Sequence, residues 1–332
     1  MHAAVAHRPT ELRAATRPPL SHRAVGAGWF KREEAIMGTA ITVELWADDD
    51  LSGHGAIDAV MAEMHRIDRA MSPHKADSEL SRINRLAAAE PVRLSAEMFG
   101  LIERALEFSA LSGGAFDISY ASVGQLYDYR AGIAPGADAL SRARLAIGWR
   151  ALLLDRAART LAFAHPGMRI DLGGFAKGHA VDNAVAILHR LHIEHAYVSA
   201  GGDSRVIGDK RGRPWTIGVR HPRDANAIVA VLPLEDTAVS TSGDYERYFD
   251  VGGVRHHHII DPATGQSPAA VHSVTILAAV GLTAEALSKA LFVFGVERGM
   301  ALIESQPGVD AIVVDARGQL HYSTGLQAPQ GA

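Results

Sequence analysis

Residues 169–191 read RIDLGGFAKGHAVDNAVAILHRL, and their pattern decides the fold class. Arg169 to Asp171 is expected to close a short strand, Gly173-Gly174 supplies a turn, and Ala176 to Leu191 then places Val181, Val185 and Leu188 on one apolar helical face. Working outward, Ile41-Thr42-Val43-Glu44-Leu45-Trp46 alternates as a half-buried strand should. Further strands are expected at His195–Ser199, Trp215–Arg220, Ile228–Leu232, Ser273–Ala278 and Ala311–Asp315. Helices are expected from about Ala96 to Ser112, stopped by Gly113-Gly114, and from about Thr283 to Phe294. Ile57, Val60, Met61, Met64, Ile67 and Met71 recur at helical spacing, a stripe better explained as core than as a methionine metal site. The mixture predicts an α+β fold without internal repeats.

With 332 residues, 48% of them hydrophobic and 21% charged, the chain can bury a large core. Residues 1–28 are basic and broken by Pro9, Pro18 and Pro19, so they read as a disordered lead. The folded part is expected over 29–325, with a flexible tail at 326–332. A net charge of −4 supplies no basic field for nucleic acid. No apolar run is long enough for a membrane span, and the lead lacks a signal-peptide core, so the sequence predicts a cytoplasmic protein. The absence of cysteine removes disulfides, thiolate metal sites and a cysteine nucleophile.

Several segments have the makings of a site. In DLGGFAKG at 171–178, glycines admit an anion to the backbone, a helix N-terminus follows, and Lys177 adds charge. The spacing fits neither the dinucleotide-binding nor the P-loop pattern, and an ordinary strand-to-helix turn is the competing reading. AGGD at 200–203 and TSGDY at 241–245 are candidate tight turns at a sheet end. RHHHIIDPATG at 255–265 gathers imidazoles, a carboxylate and a turn; neighbouring histidines on an extended chain alternate sides, so the three cannot share one zinc ion.

Taken in order, Met37-Gly38-Thr39, SPHKADSELSRIN at 72–84, GAFD at 114–117, DLGGFAKG at 171–178, AGGD at 200–203, STSGDYER at 240–247, HHIIDPATG at 257–265 and AEALSKALFVFG at 284–295 resemble the FAD:protein FMN transferase, or ApbE, family. The resemblance implies an enzyme that uses FAD and magnesium to place FMN on a Thr or Ser of an acceptor flavoprotein through a phosphoester, releasing AMP. An FAD pyrophosphatase and a non-catalytic FAD-binding protein are the alternatives. It further implies that Met37, Ala115, Phe116, Asp117, Asp171 and Lys177 contact FAD, that the Gly174 carbonyl faces the metal, and that His258 is catalytic, as base or as phosphate holder. His74 stands where many relatives carry a flavin-contacting Tyr.

The last helix departs from the family's pattern. Glu285 and Lys289 occupy the places of an Asp and a Thr that ligate the metal in relatives. Three readings follow: a solvent-facing i,i+4 ion pair with no part in catalysis; a retained magnesium ion on Glu285 and the Gly174 carbonyl, with water in the Thr position; or an ammonium on Lys289 that itself offsets the pyrophosphate charge.

Overall fold

The computed structural model describes residues 26–327. Its centre is an eight-stranded, wholly antiparallel sheet whose spatial order follows the chain: β1 (Gly26–Ile36), β2 (Thr39–Asp49), β3 (Ala196–Ala200), β4 (Asp203–Ile207), β5 (Ala238–Gly243), β6 (Val271–Ala278), β7 (Asp310–Asp315) and β8 (Leu320–Tyr322). Strand β2 is set by its alternation: Ile41, Val43 and Leu45 are buried, while Thr42, Glu44 and Trp46 on the other side are only partly covered. A large core lies between one face of the sheet and a helical layer of α1 (Asp50–Met71), α4 (Ala176–Arg190), α5 (Gly281–Phe294) and α6 (Val296–Glu304). Two more helices, α2 (Glu79–Leu86) and α3 (Ala96–Leu111), extend that layer. The opposite face is partly covered by a hairpin, Trp215–Arg220 with Ile228–Leu234, through Trp215, Val219, Leu232 and Leu234.

Local signals explain the helix boundaries. The Asp49 carboxylate accepts from the Ser52 N–H at 2.9 Å and starts α1, whose predicted stripe from Ile57 to Met71 is buried as core. Ser95 caps α3 by accepting from the Met98 N–H. Helix α5 is buried on nearly every side, and its buried residues include Glu285 and Ser288. Its N-terminus is held by Asp182 of α4, whose two carboxylate oxygens accept from the Gly281 and Leu282 N–H groups at 2.8 and 2.9 Å.

Two expectations are corrected. Residues 26–28 belong to β1 and not to a lead; residues 1–25 of the expected lead, and 328–332 of the expected tail, lie outside the described residues. The segment Arg169–Asp171 is not a strand. Its backbone bonds run to side chains and to a loop: Asn84 accepts from the Ile170 N–H at 2.8 Å and donates to the Ile170 carbonyl at 2.9 Å, Ser122 accepts from the Arg169 N–H, and the Asp171 N–H donates to the Ile118 carbonyl. For Ile170 the Asn84 amide thus takes the place of a neighbouring strand. No helix among the described residues is long and apolar enough to cross a membrane.

Candidate active site

A cavity of about 460 Å³ opens between the 171–175 turn, the 115–129 segment, the 247–262 segment and α5. Ala115, Phe116, Asp117, Asp171, Gly174, His258 and Lys289 line it, with His74 among the lining residues on the exposed side. Met37, Lys177 and Glu285 do not line it. Met37 sits with φ 55° in the tight β1–β2 turn and packs on the core.

Each lining group is fixed from behind. Asp171 turns its carboxylate back to the Gly173 N–H at 2.5 Å and receives the Tyr120 hydroxyl at 3.3 Å. Asp117 accepts from the Ser119 N–H and hydroxyl and from the Trp149 N–H. Burial nevertheless pushes its carboxyl above the usual range, and these three bonds make it a brace for the pocket wall. Phe116 packs against Phe108 and Phe175, with ring centroids 6.2 and 5.4 Å away.

The three consecutive histidines face different surroundings. His256 stacks on Phe249 at 5.1 Å. His257 is buried, its Nε2 against the Pro268 carbonyl at 2.9 Å and its ring edge-on to Phe292. His258 borders the cavity, held by its N–H donating to the Arg247 carbonyl at 3.0 Å. Its Nδ1 is shielded from solvent and has no partner among the described residues. Burial first, and then the positive charge of Lys289, drop the His258 imidazole to about 3, so it is neutral near pH 7.

Beneath the cavity lies a buried cluster of two lysines and two acids. Lys177 donates to Asp203 and, at 2.7 Å, to Glu285 Oε1, while the Gly178 N–H donates to Glu285 Oε2 at 2.7 Å. Asp203 also accepts from the Ser240 hydroxyl at 2.5 Å. Burial alone would depress the Lys177 ammonium, but the two carboxylates outweigh it and hold the group above the ordinary lysine range. Complete burial and then the Asp203 charge hold Glu285 above the usual carboxylate range. Donors on both of its oxygens favour the ionised form. Lys177, expected at FAD, is therefore spent on two acids behind the pocket.

Glu285 is fully buried, which corrects the reading of a solvent-facing ion pair. Lys289 Nζ lies 3.9 Å from Glu285 Oε1 and donates to the Ser288 hydroxyl at 3.3 Å. Its stem lies on the glycine turn, where a Cβ on Gly174 would stand 3.4 Å from Lys289 Cε. Burial pulls the Lys289 ammonium below the usual lysine range, with Glu285 and Asp203 opposing.

This donor set does not fit the magnesium ion that the resemblance implies. Both Glu285 oxygens already accept from other groups, and the position beside Gly174 holds a cation's stem in place of an oxygen ligand. A divalent ion and an ammonium about 4 Å apart repel by about 8 kcal/mol at an effective dielectric of about 20. Among the described residues, no group of three or more His, Asp or Glu side chains is arranged to hold a metal.

Sequence reading missed Tyr120, Tyr127 and Tyr129 in the lining, and did not assign roles to Asn84 and Arg247. Within the 240–247 and 72–84 segments, Arg247 and Asn84 were visible as the last polar residue of each. The three tyrosines, at 120, 127 and 129, follow GAFD too irregularly for any periodicity to mark them.

The ApbE family model matches residues 37–313. The chain belongs to the ApbE family. Among curated ApbE relatives, the FAD:protein FMN transferase of Treponema pallidum (strain Nichols) is 33% identical over 317 residues, covering 90% of this chain and 87% of its own. That of Klebsiella pneumoniae (strain 342) is 31% identical over 290 residues, covering 86% and 89%. The crystal structure of the ApbE protein from Thermotoga maritima MSB8 is similar with a TM-score of 0.84 at 34% identity, over 90% of this chain and 98% of the other. The flavin transferase ApbE from Vibrio cholerae gives 0.79 at 28% identity, again over 90% and 98%. This ApbE member thus shares a mixed helical and antiparallel-sheet architecture with flavin transferases across nearly their full length.

Proposed function

We propose that this protein transfers the FMN half of FAD to a Thr or Ser hydroxyl of an acceptor flavoprotein and releases AMP. The observation that carries the reading is the convergence on one cavity of Ala115–Asp117, Asp171, Gly174, His258 and Lys289, residues scattered over more than half of the chain. A cavity of about 460 Å³ is of the size small-molecule sites have.

In the transfer, the acceptor hydroxyl oxygen forms a bond to the FMN-side phosphorus while the bond from that phosphorus to the bridging oxygen breaks. AMP takes the bridging oxygen, and the hydroxyl proton moves to a base. His258 is the group placed for this, because its imidazole is neutral and borders the cavity. An imidazole held near 3, by burial first and then by neighbouring cations, is a weak base, and a pyrophosphate bound beside Lys289 and Arg247 offsets the part that those cations cause. Phosphate binding therefore raises the basicity of His258 when it is needed. Asp171 and the Phe116 wall position the flavin end, with Tyr120 holding the Asp171 carboxylate. No step is routed through a divalent ion, since the residues present do not fit one.

Incubation with FAD and a Thr-containing flavoprotein acceptor tests the reading. The acceptor should gain the mass of an FMN group with release of equimolar AMP, and His258→Ala should lose most transfer while keeping FAD affinity within a few-fold. AMP release at full rate without acceptor would identify a pyrophosphatase instead. Tight FAD binding with neither product would identify a flavin carrier.

A further inference from the structure

We infer that Lys289 serves as a built-in counter-cation for the pyrophosphate of the bound dinucleotide, so that this chain engages its substrate without a divalent metal. The inference rests on the FAD-binding part of the proposed function and concerns what neutralises the ligand's charge.

The two lysines of the cluster are in unlike states. Lys177 is bonded to two carboxylates and lies outside the cavity lining. Lys289 borders the cavity, with its side chain only 17% exposed. An ammonium has three N–H donors, and among the described residues Lys289 makes one long hydrogen bond, to Ser288 at 3.3 Å. Its distance to Glu285 Oε1, 3.9 Å, is too long for a second. A largely buried ammonium keeping donors in reserve beside a cavity suits an anion that arrives later.

Two neighbours point the same way. Arg247 also lines the cavity, and its guanidinium makes no hydrogen bond or ion pair among the described residues. The shielded, unpartnered Nδ1 of His258 belongs to a ring that feels the charge of both cations. Neither carboxylate of the buried cluster is left over to hold a metal: Glu285 and Asp203 are both engaged by Lys177, and the four charges of the cluster sum to zero. The dianionic pyrophosphate would then find two cations in the cavity lining, Lys289 on α5 and Arg247 on the loop after β5. Because the Lys289 stem rests against Gly174, its ammonium is presented beside the glycine turn, where backbone approach to a phosphate is least obstructed.

Flavin fluorescence titration separates this arrangement from a metal site. FAD, and riboflavin as a phosphate-free control, are titrated into the unmodified protein in EDTA and in magnesium, and then into Lys289→Met and Lys289→Gln. The expected result is FAD affinity within about threefold between EDTA and magnesium for the parent, and a loss of about tenfold or more in both variants, with riboflavin binding unchanged. Inorganic pyrophosphate should displace FAD from the parent at lower concentration than from either variant. A parent whose FAD affinity falls more than about threefold on chelation overturns the inference, whatever the variants do. So does FAD affinity preserved in Lys289→Met. If neither FAD nor riboflavin binds the parent, the functional reading itself fails, a result distinct from either of these.

Discussion

Replacing Glu285 by Gln removes one negative charge from the buried four-residue cluster without changing its volume. In the parent, each carboxylate oxygen accepts a bond of 2.7 Å, one from Lys177 and one from the Gly178 N–H. The amide oxygen of Gln can keep the Gly178 bond, but its NH2 then faces the Lys177 ammonium, donor against donor. Breaking one side of a buried ion pair costs about 3–5 kcal/mol. Lys177 still has Asp203, which puts the expected loss near the lower end, about 3 kcal/mol. Urea unfolding of the apo protein, followed by circular dichroism, reads this directly. Charge balance supplies a sharper second measurement. Lys289→Met alone leaves two acids to one lysine, whereas Glu285→Gln with Lys289→Met leaves one of each. The double variant should be more stable than the sum of the single losses by about 1–2 kcal/mol. A Glu285→Gln loss under about 1 kcal/mol, or strict additivity, would refute the view that these groups form one charge-balanced unit.

Three further outcomes follow from the same geometry. Asn84→Ala leaves both backbone groups of Ile170 without their partner; it should cost about 2–3 kcal/mol in urea unfolding and weaken FAD binding, and unchanged affinity would show that the 169–171 segment holds its shape unaided. Gly178→Ala would bring a Cβ to 2.6 Å from the Gly281 carbonyl oxygen, so it should lower the melting temperature and FAD affinity together; wild-type values for both would show that α4 and α5 can separate without cost. His258 titrates at about 3 in the fold against an ordinary 6.5, so as pH falls below 6.5 the unfolded chain takes up the proton first and stability drops by about 1.4 kcal/mol per pH unit toward 3. His258→Asn should flatten that part of the urea-midpoint profile, and a profile parallel to the parent's would contradict the burial of the imidazole.

How far the fold was legible depends on where backbone bonds go. Strands β2 and β6 and helices α1, α3, α4 and α5 were legible in the sequence, β2 and α1 most plainly because their side chains sort into core and solvent, whereas the short helices α2 and α6 were not expected. Strand β1 was not expected: Lys31, Arg32, Glu33 and Glu34 carry no apolar alternation, and pairing along the sheet edge with residues such as Val43 and Thr42 makes a strand of them. The 169–171 segment misled in the other direction, since the backbone groups of Ile170 are satisfied by Asn84, a residue 86 positions away, and not by a sheet. At the site, His258, Asp171 and Gly174 were recognisable from their motifs. Lys177 was expected at FAD, and its bonds to Asp203 and Glu285 were not legible, because sequence spacing does not reveal two acids behind a lysine. Likewise, a Glu and a Lys four apart left an exposed pair open as one of three readings until α5 is found buried on nearly all faces.

The contact between Gly178 and Gly281, sealed by Asp182 on the first turn of α5, bears on how the cavity can open. It joins the glycine turn, Lys177, Glu285 and Lys289 into one stiff body, so none of these can be displaced separately. The facing wall has less holding it: among the described residues its own buried cluster is Val123, Tyr127 and Ile260 with partly buried side chains around them, tied across by the Tyr127 hydroxyl on the Gly265 carbonyl and the Tyr129 hydroxyl on the His257 carbonyl. Local opening draws on regions of low stability. Admission of a large dinucleotide and departure of AMP therefore fall to the tyrosine-bearing side, which can swing outward while the phosphate-facing side stays fixed, and amide exchange should be fastest there and slowest along α4 and α5.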